Sequence, residues 1–343
     1  MKKALTFLLL FCALNCFAQE PLMKTKWNQG YPYNILCPAD PFENYAHSYT
    51  GCPATAMGQI INYLRTTQGT RFDDGDDYLA SYAGRVFYID DDWQQYQFPS
   101  FPQLNRLLDS VDATFERGEE LNDSLVAAVI FASGVACTEV FTASSSYGSG
   151  TFYVDQAYAA YQRFGFTECQ LFRDPTDEMY ELLISNIKDG YPAHLAIVNE
   201  AGNSGHNVVI DGYRESDGKF HINFGWGGQM DNWYDVPDVN TGFHYGWTKI
   251  EGLILNIIPT PNAVNEYANK QQLEVYPNPA SDLLYINNLP GEYVEYAIFN
   301  VMGQKVNAGF TDGSVSVAEL EKGIYLLQIK GEKNLETVKF MVK

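Results

Sequence analysis

Tyr49-Thr50-Gly51-Cys52-Pro53-Ala54-Thr55-Ala56 is the stretch on which the fold turns. Met57, Ile60, Ile61 and Leu64 follow it at helical intervals, so the segment carries an apolar face. Pro53 suits the first turn of a helix, where its missing N–H costs nothing. Thr50 is expected to cap that turn. Cys52 then sits at a helix mouth, where unsatisfied N–H groups and the helix dipole favour negative charge. Such a position is expected to depress the thiol pKa. The same N–H groups suit the oxyanion of a tetrahedral intermediate. Gly51 is expected to let a substrate backbone approach closely.

Far downstream, Gly205-His206-Asn207-Val208-Val209-Ile210-Asp211-Gly212 reads as a strand that opens on a histidine. Taken singly, each residue has an ordinary reading: a free cysteine is usually a small buried hydrophobe, and a strand histidine usually packs. Together they form the layout of a thiol nucleophile and its base. His194 and His221 lack the flanking glycine and the following apolar strand, and are read as structural. Asp211-Gly212 and Ser216-Asp217-Gly218 read as turns around a strand pair. That pairing returns Asn223-Phe224-Gly225-Trp226 to the side of His206, as an aromatic wall that excludes water. Ala143-Ser144-Ser145-Ser146-Tyr147-Gly148-Ser149-Gly150 reads as a flexible polar loop.

The chain has 343 residues and a formal net charge of −20, which argues against a nucleic-acid partner. Asp73-Asp74-Gly75-Asp76-Asp77 lacks the alternating oxygen ligands and distal glutamate of a calcium loop, so it reads as solvated surface. With no C-x-x-C pair or Cys/His cluster, neither a metal nor an organic cofactor is expected. Lys2, Lys3 and the apolar Leu5 to Leu14 form a signal peptide, residues 1–18, with cleavage expected after Cys16-Phe17-Ala18. Residues 19–258 are expected to form a catalytic domain, 259–272 a linker, and 273–343 a small β-sandwich built from short strand-like runs. Those runs are Leu273–Tyr276, Leu283–Ile286, Tyr296–Val301, Gly323–Ile329 and Thr337–Val342. Cys137 closes the apolar run Leu125–Ala136 and is expected to be buried, while a Cys37–Cys169 bridge stays open.

Four blocks in order resemble the streptopain family of cysteine peptidases, within the papain-like clan. They are Asn28–Leu36, Thr50–Ala56 with Gln59–Tyr63, Gly205–Gly212, and Phe220-His221-Ile222-Asn223-Phe224-Gly225-Trp226-Gly227-Gly228. The tail resembles the C-terminal sorting domain of cargo for the type IX secretion system of Bacteroidota. It does so through Val275-Tyr276-Pro277-Asn278-Pro279, Phe299–Gln304, Gly323-Ile324-Tyr325 and Lys339–Lys343. The resemblance implies an α+β papain-like fold followed by an all-β, immunoglobulin-like sandwich. It implies a secreted cysteine endopeptidase in which Cys52 attacks and His206 is its base, with Trp226 in support. Asn223 is a weaker supporting candidate, and Gly51, Ser145, Ser146 and Gly205 are candidates for the substrate cleft. Expected partners are protein or peptide substrates and the type IX machinery, with attachment to surface lipopolysaccharide at the outer membrane. An amidase or transpeptidase on cell-wall amides, and a degraded surface binding module, are the alternatives.

Two positions depart from the family pattern. Phe224 stands where relatives carry a tryptophan or the asparagine that orients the histidine, and its side chain cannot hydrogen-bond. Ala46 stands six residues before Cys52, where papain relatives place a glutamine as oxyanion donor. His47 is the neighbour that would compensate for it, and Asn223 or Asp211 would hold the imidazole in place of Phe224.

Overall fold

The computed structural model describes residues 20–236, 247–260, 273–287, 289, 293–300, 303–330 and 335–343. The expected signal peptide and residues 261–272 of the expected linker lie outside the described residues. The chain divides into two units, Met1–Thr260 and Pro261–Lys343.

The first unit runs through β1 (Ala39–Asp40), β2 (Ala46–His47), α1 (Cys52–Leu64), β3 (Tyr78–Tyr82), β4 (Arg85–Ile89), α2 (Trp93–Tyr96), α3 (Phe101–Glu116), α4 (Asp123–Ala136) and α5 (Val154–Arg163). It continues through β5 (Gln170–Phe172), α6 (Asp177–Lys188), β6 (Ala193–Asn199), β7 (Gly205–Arg214), β8 (Lys219–Asn223), β9 (Asn232–Tyr234) and β10 (Trp247–Leu255). Strands β5 to β10 form one antiparallel sheet in the order β5-β10-β6-β7-β8-β9.

Alternation along the sheet feeds two cores. Ala196, Val209 and Ile254 face the helical side, where they join Met57, Ile60, Val129 and Tyr161. Leu195, Ile197, Val208 and Ile210 face the other side, with Met179, Leu183 and Ile187 of α6. Helix α1 is buried on all sides from Pro53 to Asn62, so its apolar face is only part of its packing. It crosses α4 closely at Gly58, where a Cβ would lie 2.9 Å from Ile130 Cγ1. Helix α4 is apolar all round, as a central helix must be, and Asn122 starts it by accepting the Leu125 N–H at 3.1 Å.

Asp211-Gly212 is not a turn. Both residues lie inside β7, with a register shift between Ile210 and Gly212 against β8. A Cβ on Gly212 would lie 2.9 Å from His221 Cβ, so the glycine marks a bulge in the strand and not its end. The turn to β8 comes at Ser216-Asp217-Gly218.

The second unit is all β. Strands β11 (Glu274–Tyr276), β12 (Leu283–Asn287) and β15 (Ser314–Ser316) form one sheet. Strands β14 (Lys305–Thr311), β13 (Val294–Asn300), β16 (Gly323–Lys330) and β17 (Leu335–Val342) form another, in that order. Leu284, Ile286, Ile298, Val315, Leu327, Ile329 and Phe340 bury a common core. Strands β14 and β15 are not among the runs read from the sequence; in β14 the apolar Val306, Ala308 and Phe310 alternate but lie on the exposed face, and β15 is three residues long.

Candidate active site

Helix α1 starts at Cys52, and its N-cap is Gly51 rather than Thr50. The Thr50 hydroxyl instead pairs with the Thr55 hydroxyl at 2.7 Å, inside the core. Gly51 has φ 76°, and a Cβ there would lie 2.5 Å from Glu139 Oε1. Glycine is therefore required by backbone conformation and by a buried carboxyl, whatever approaches from the cleft. Glu139 Oε1 accepts the Ala54 N–H at 3.0 Å, so a residue from the end of α4 satisfies the helix N-terminus. Burial drives the Glu139 carboxyl well above the usual carboxylate range.

Cys52 is half-buried in the wall of a cleft of about 610 Å³ that His206 and Asn207 also line. Burial pushes its thiol up to about 11, against the pull of hydrogen bonds from the Asn207 backbone and side chain. The helix position therefore does not depress the thiol pKa on its own, because desolvation outweighs the local dipoles. Among the described residues the hydrogen bond to Cys52 Sγ comes from Asn207 Nδ2, at 3.7 Å, and none joins Cys52 to His206.

His206 is buried at the start of β7, and burial lowers its pKa to about 4. Its Nε2–H donates to the Phe224 carbonyl at 2.8 Å. A carbonyl can only accept, so the neutral ring carries its proton on Nε2 and leaves Nδ1 basic. The histidine is thus oriented by the backbone of Phe224, whose ring also stacks beside the imidazole with centroids 6.0 Å apart. The Phe224 N–H is itself held by Asp231 Oδ1 at 2.9 Å. The imidazole stacks on Trp226, with ring centroids 4.5 Å apart, and on Trp247 at 5.2 Å.

The other expected supports lie elsewhere. Asn223 does not reach the imidazole; its amide joins Gln59 of α1, the Thr25 carbonyl and the Gly225 N–H, and so fixes the loop that carries Trp226. Asp211 bonds His221 Nδ1 at 2.6 Å and the Met23 N–H at 3.1 Å, pinning the N-terminal segment to the sheet. Ala46 is exposed in β2, and His47 Nδ1 lies 2.6 Å from the Cys37 carbonyl. Neither lines the cleft.

The polar loop is tied down at its base. Thr142 and Ser149 exchange hydrogen bonds at 2.9 and 3.0 Å. Asp40 accepts from Thr142 Oγ1, the Ala143 N–H and the Arg85 guanidinium. Burial would raise the Asp40 carboxyl, but these donors, with the Phe42 N–H, hold it below its ordinary value. Ser146 and Gly205 line the cleft, while Ser145 and Gly51 do not. Tyr147 and Phe152 meet Tyr82 edge-on, with centroids 6.1 and 5.9 Å away, and give the cleft an aromatic wall. Cys37, Cys137 and Cys169 are buried and free, so Cys37 and Cys169 are not bridged.

Asn207 and Trp247 escaped the sequence reading. Asn207 follows the histidine in an otherwise apolar strand, and only the strand register shows that it faces the sulfur. Trp247 comes from β10, beyond any local motif.

Residues 27–234 match the model of the peptidase C10 family, and residues 274–343 match that of the secretion system C-terminal sorting domain. The chain is 26% identical over 259 residues to the thiol protease/hemagglutinin PrtT of Porphyromonas gingivalis, covering 71% of this chain and 27% of that protein. It is 27% identical over 228 residues to streptopain of Streptococcus pyogenes, covering 62% of this chain and 54% of that protein. The chain thus spans about a quarter and about half the length of these relatives. Its fold is similar to that of the active interpain A cysteine protease of Prevotella intermedia, with a TM-score of 0.52 at 22% identity, covering 71% of this chain and 95% of the other.

Proposed function

This chain belongs to the peptidase C10 family, and we propose that it is a secreted cysteine endopeptidase with Cys52 as nucleophile and His206 as its base. The observation that carries the reading is the tautomer of His206: Nε2–H is fixed on the Phe224 carbonyl, so Nδ1 is the nitrogen left to take a thiol proton. Cys52 and His206 line one cleft, from a helix mouth and a strand end respectively.

In the free site burial favours a neutral thiol and a neutral imidazole. In the reaction the Sγ proton passes to His206 Nδ1, and the resulting thiolate attacks the peptide carbonyl. Each charge then offsets the desolvation cost of the other. The indole faces of Trp226 and Trp247 favour the imidazolium. Collapse of the tetrahedral intermediate passes that proton to the leaving amine and leaves a thioester. Water, with His206 again as base, releases the acid. With Ala46 offering no donor, the Cys52 N–H at the helix start is the backbone donor for the oxyanion.

Residues 19–258 serve as the catalytic domain, and 273–343 as an immunoglobulin-like sorting sandwich recognised by the type IX machinery, with 259–272 as the linker. The match of residues 274–343 to a secretion sorting domain supports an exported protein, held on the outer surface through lipopolysaccharide or released. Among the described residues no helix is long and apolar enough to cross a membrane. The Phe224 and Ala46 departures are the motive for a degraded binding module; the Phe224 carbonyl bond to His206 answers the first of them and supports the enzyme reading.

Replacing Cys52 with Ala is expected to lower casein hydrolysis roughly 1,000-fold or more while melting stays cooperative. A thiol-directed epoxide should label Cys52 alone in the parent protein. Undiminished turnover by Cys52→Ala would end this reading.

A further inference from the structure

Successive residues of β7 point to opposite faces of the sheet, so His206 and Asn207 approach the cleft from different sides. Asn207 is on the helical side and pairs in register with Ala196 of β6. His194, two residues before Ala196, therefore shares that face beside it. Its Nε2 lies 2.8 Å from Asn207 Oδ1, and its Nδ1 lies 3.1 Å from the Tyr161 hydroxyl on α5. His194 and Tyr161 are fully buried. A chain of hydrogen bonds thus runs from Tyr161 through His194 and Asn207 to Cys52 Sγ.

We propose that Asn207 holds the anionic sulfur of Cys52 during catalysis, and that His194 and Tyr161 are positioning residues that keep its amide nitrogen turned toward Sγ. The proposal rests on reading Cys52 as the nucleophile.

The direction of the chain follows from its members. Burial lowers the His194 pKa to about 4, so the ring is neutral at working pH and has one N–H. If that proton is on Nε2, it donates to Asn207 Oδ1, Tyr161 donates to Nδ1, and the Asn207 NH₂ faces the sulfur. The reverse order would need the Cys52 S–H, a weak donor, to supply Asn207 Oδ1. The contact to sulfur is made by the Asn207 amide nitrogen, at 3.7 Å, which can only donate. Sulfur is therefore the acceptor at this place. Bonds of this kind strengthen when the acceptor becomes charged.

The other titratable groups facing Cys52 do not take over this role. From just beyond α4 come Glu139 and Cys137, whose pKa values burial pushes well up. From α5 comes Tyr161, and from β7 come His206 and Asp211, the latter paired with His221. Glu251 of β10 lines the cleft and accepts the Val154 N–H at 2.9 Å.

The test is the pH dependence of Cys52 alkylation by iodoacetamide, followed by mass spectrometry of the Cys52 peptide in the full chain. Asn207→Ala is expected to move the midpoint up by about one pH unit and to slow labelling at neutral pH on the order of tenfold. Its kcat should fall by a similar factor with KM held. Asn207→Asp should move the midpoint further up, because a carboxylate would face the sulfur. His194→Leu should shift it in the same direction as Asn207→Ala, and His194→Gln, which keeps a donor for Oδ1, should shift it less. An unchanged or lowered midpoint in Asn207→Ala with cooperative melting would overturn the proposal alone. Should that variant not fold, an unshifted midpoint in His194→Leu does the same. Failure of the parent protein to label at Cys52 ahead of Cys37, Cys137 and Cys169 would overturn the nucleophile reading with it.

Discussion

At the residue scale, the imidazole is held by a peptide group. The Phe224 carbonyl fixes the His206 tautomer, and the phenyl ring packs in the core behind it at 1% exposure. Phe224→Leu is therefore expected to cost about 1 kcal/mol of stability in a denaturant melt, yet to keep most of the peptide turnover. Loss of turnover in folded Phe224→Leu would mean that the ring, and not the carbonyl, orients the imidazole. Cys52 and His206 were legible in the sequence because each carries a local signature: a proline-bearing helix start in one case, a glycine-flanked strand in the other. The expected Thr50 cap failed because a residue distant in sequence, Glu139, supplies the acceptor at the helix start, and no local pattern encodes that contact. Asn207 was invisible for a related reason, since its role exists only through the register of β6 against β7.

At the element scale, the cleft wall is held by a buried ion pair. Arg85 of β4 meets Asp40 of β1 at 3.0 Å, with side-chain exposures of 7% and 0%. Asp40 in turn binds Thr142 and Ala143 at the root of the polar loop. Arg85→Met would leave the Asp40 carboxylate buried without its cation, at a cost of about 3–5 kcal/mol. Limited proteolysis should then cut within residues 143–150 at lower protease concentrations than in the parent; an unaltered cutting pattern would show that the loop is held by other means. The composition of the loop suggested flexibility, but its two ends are bonded to each other and to a strand about a hundred residues away in sequence. Helices α1 and α4 were readable from spacing and apolar content, whereas the bulge at Asp211-Gly212 imitated a turn. In β14 the alternating apolar residues Val306, Ala308 and Phe310 lie on the exposed face.

At the scale of the whole molecule, acid should be the weak side of the stability profile. His194 and His206 have folded-state pKa values lowered to about 4 by burial. Unfolded, each binds its proton near pH ~6.5, so the stability they contribute is complete above that value and is lost as pH falls toward 4. The loss is about 3 kcal/mol for each ring. Melts between pH 7 and 4 should show it, and His194→Gln should flatten the curve by its share. A flat profile in the parent would mean that the rings are not buried as neutral species. Finally, the four described cysteines divide unevenly: Cys52 opens on the cleft, and Cys37, Cys137 and Cys169 are sealed in the core. The protein thereby carries its own gauge of integrity. Across residues 20–343, an intact sample offers one thiol to a reagent from the cleft, and a melted one offers four. The equivalents taken up per chain therefore climb from one toward four as the native fraction falls, a readout that needs no substrate.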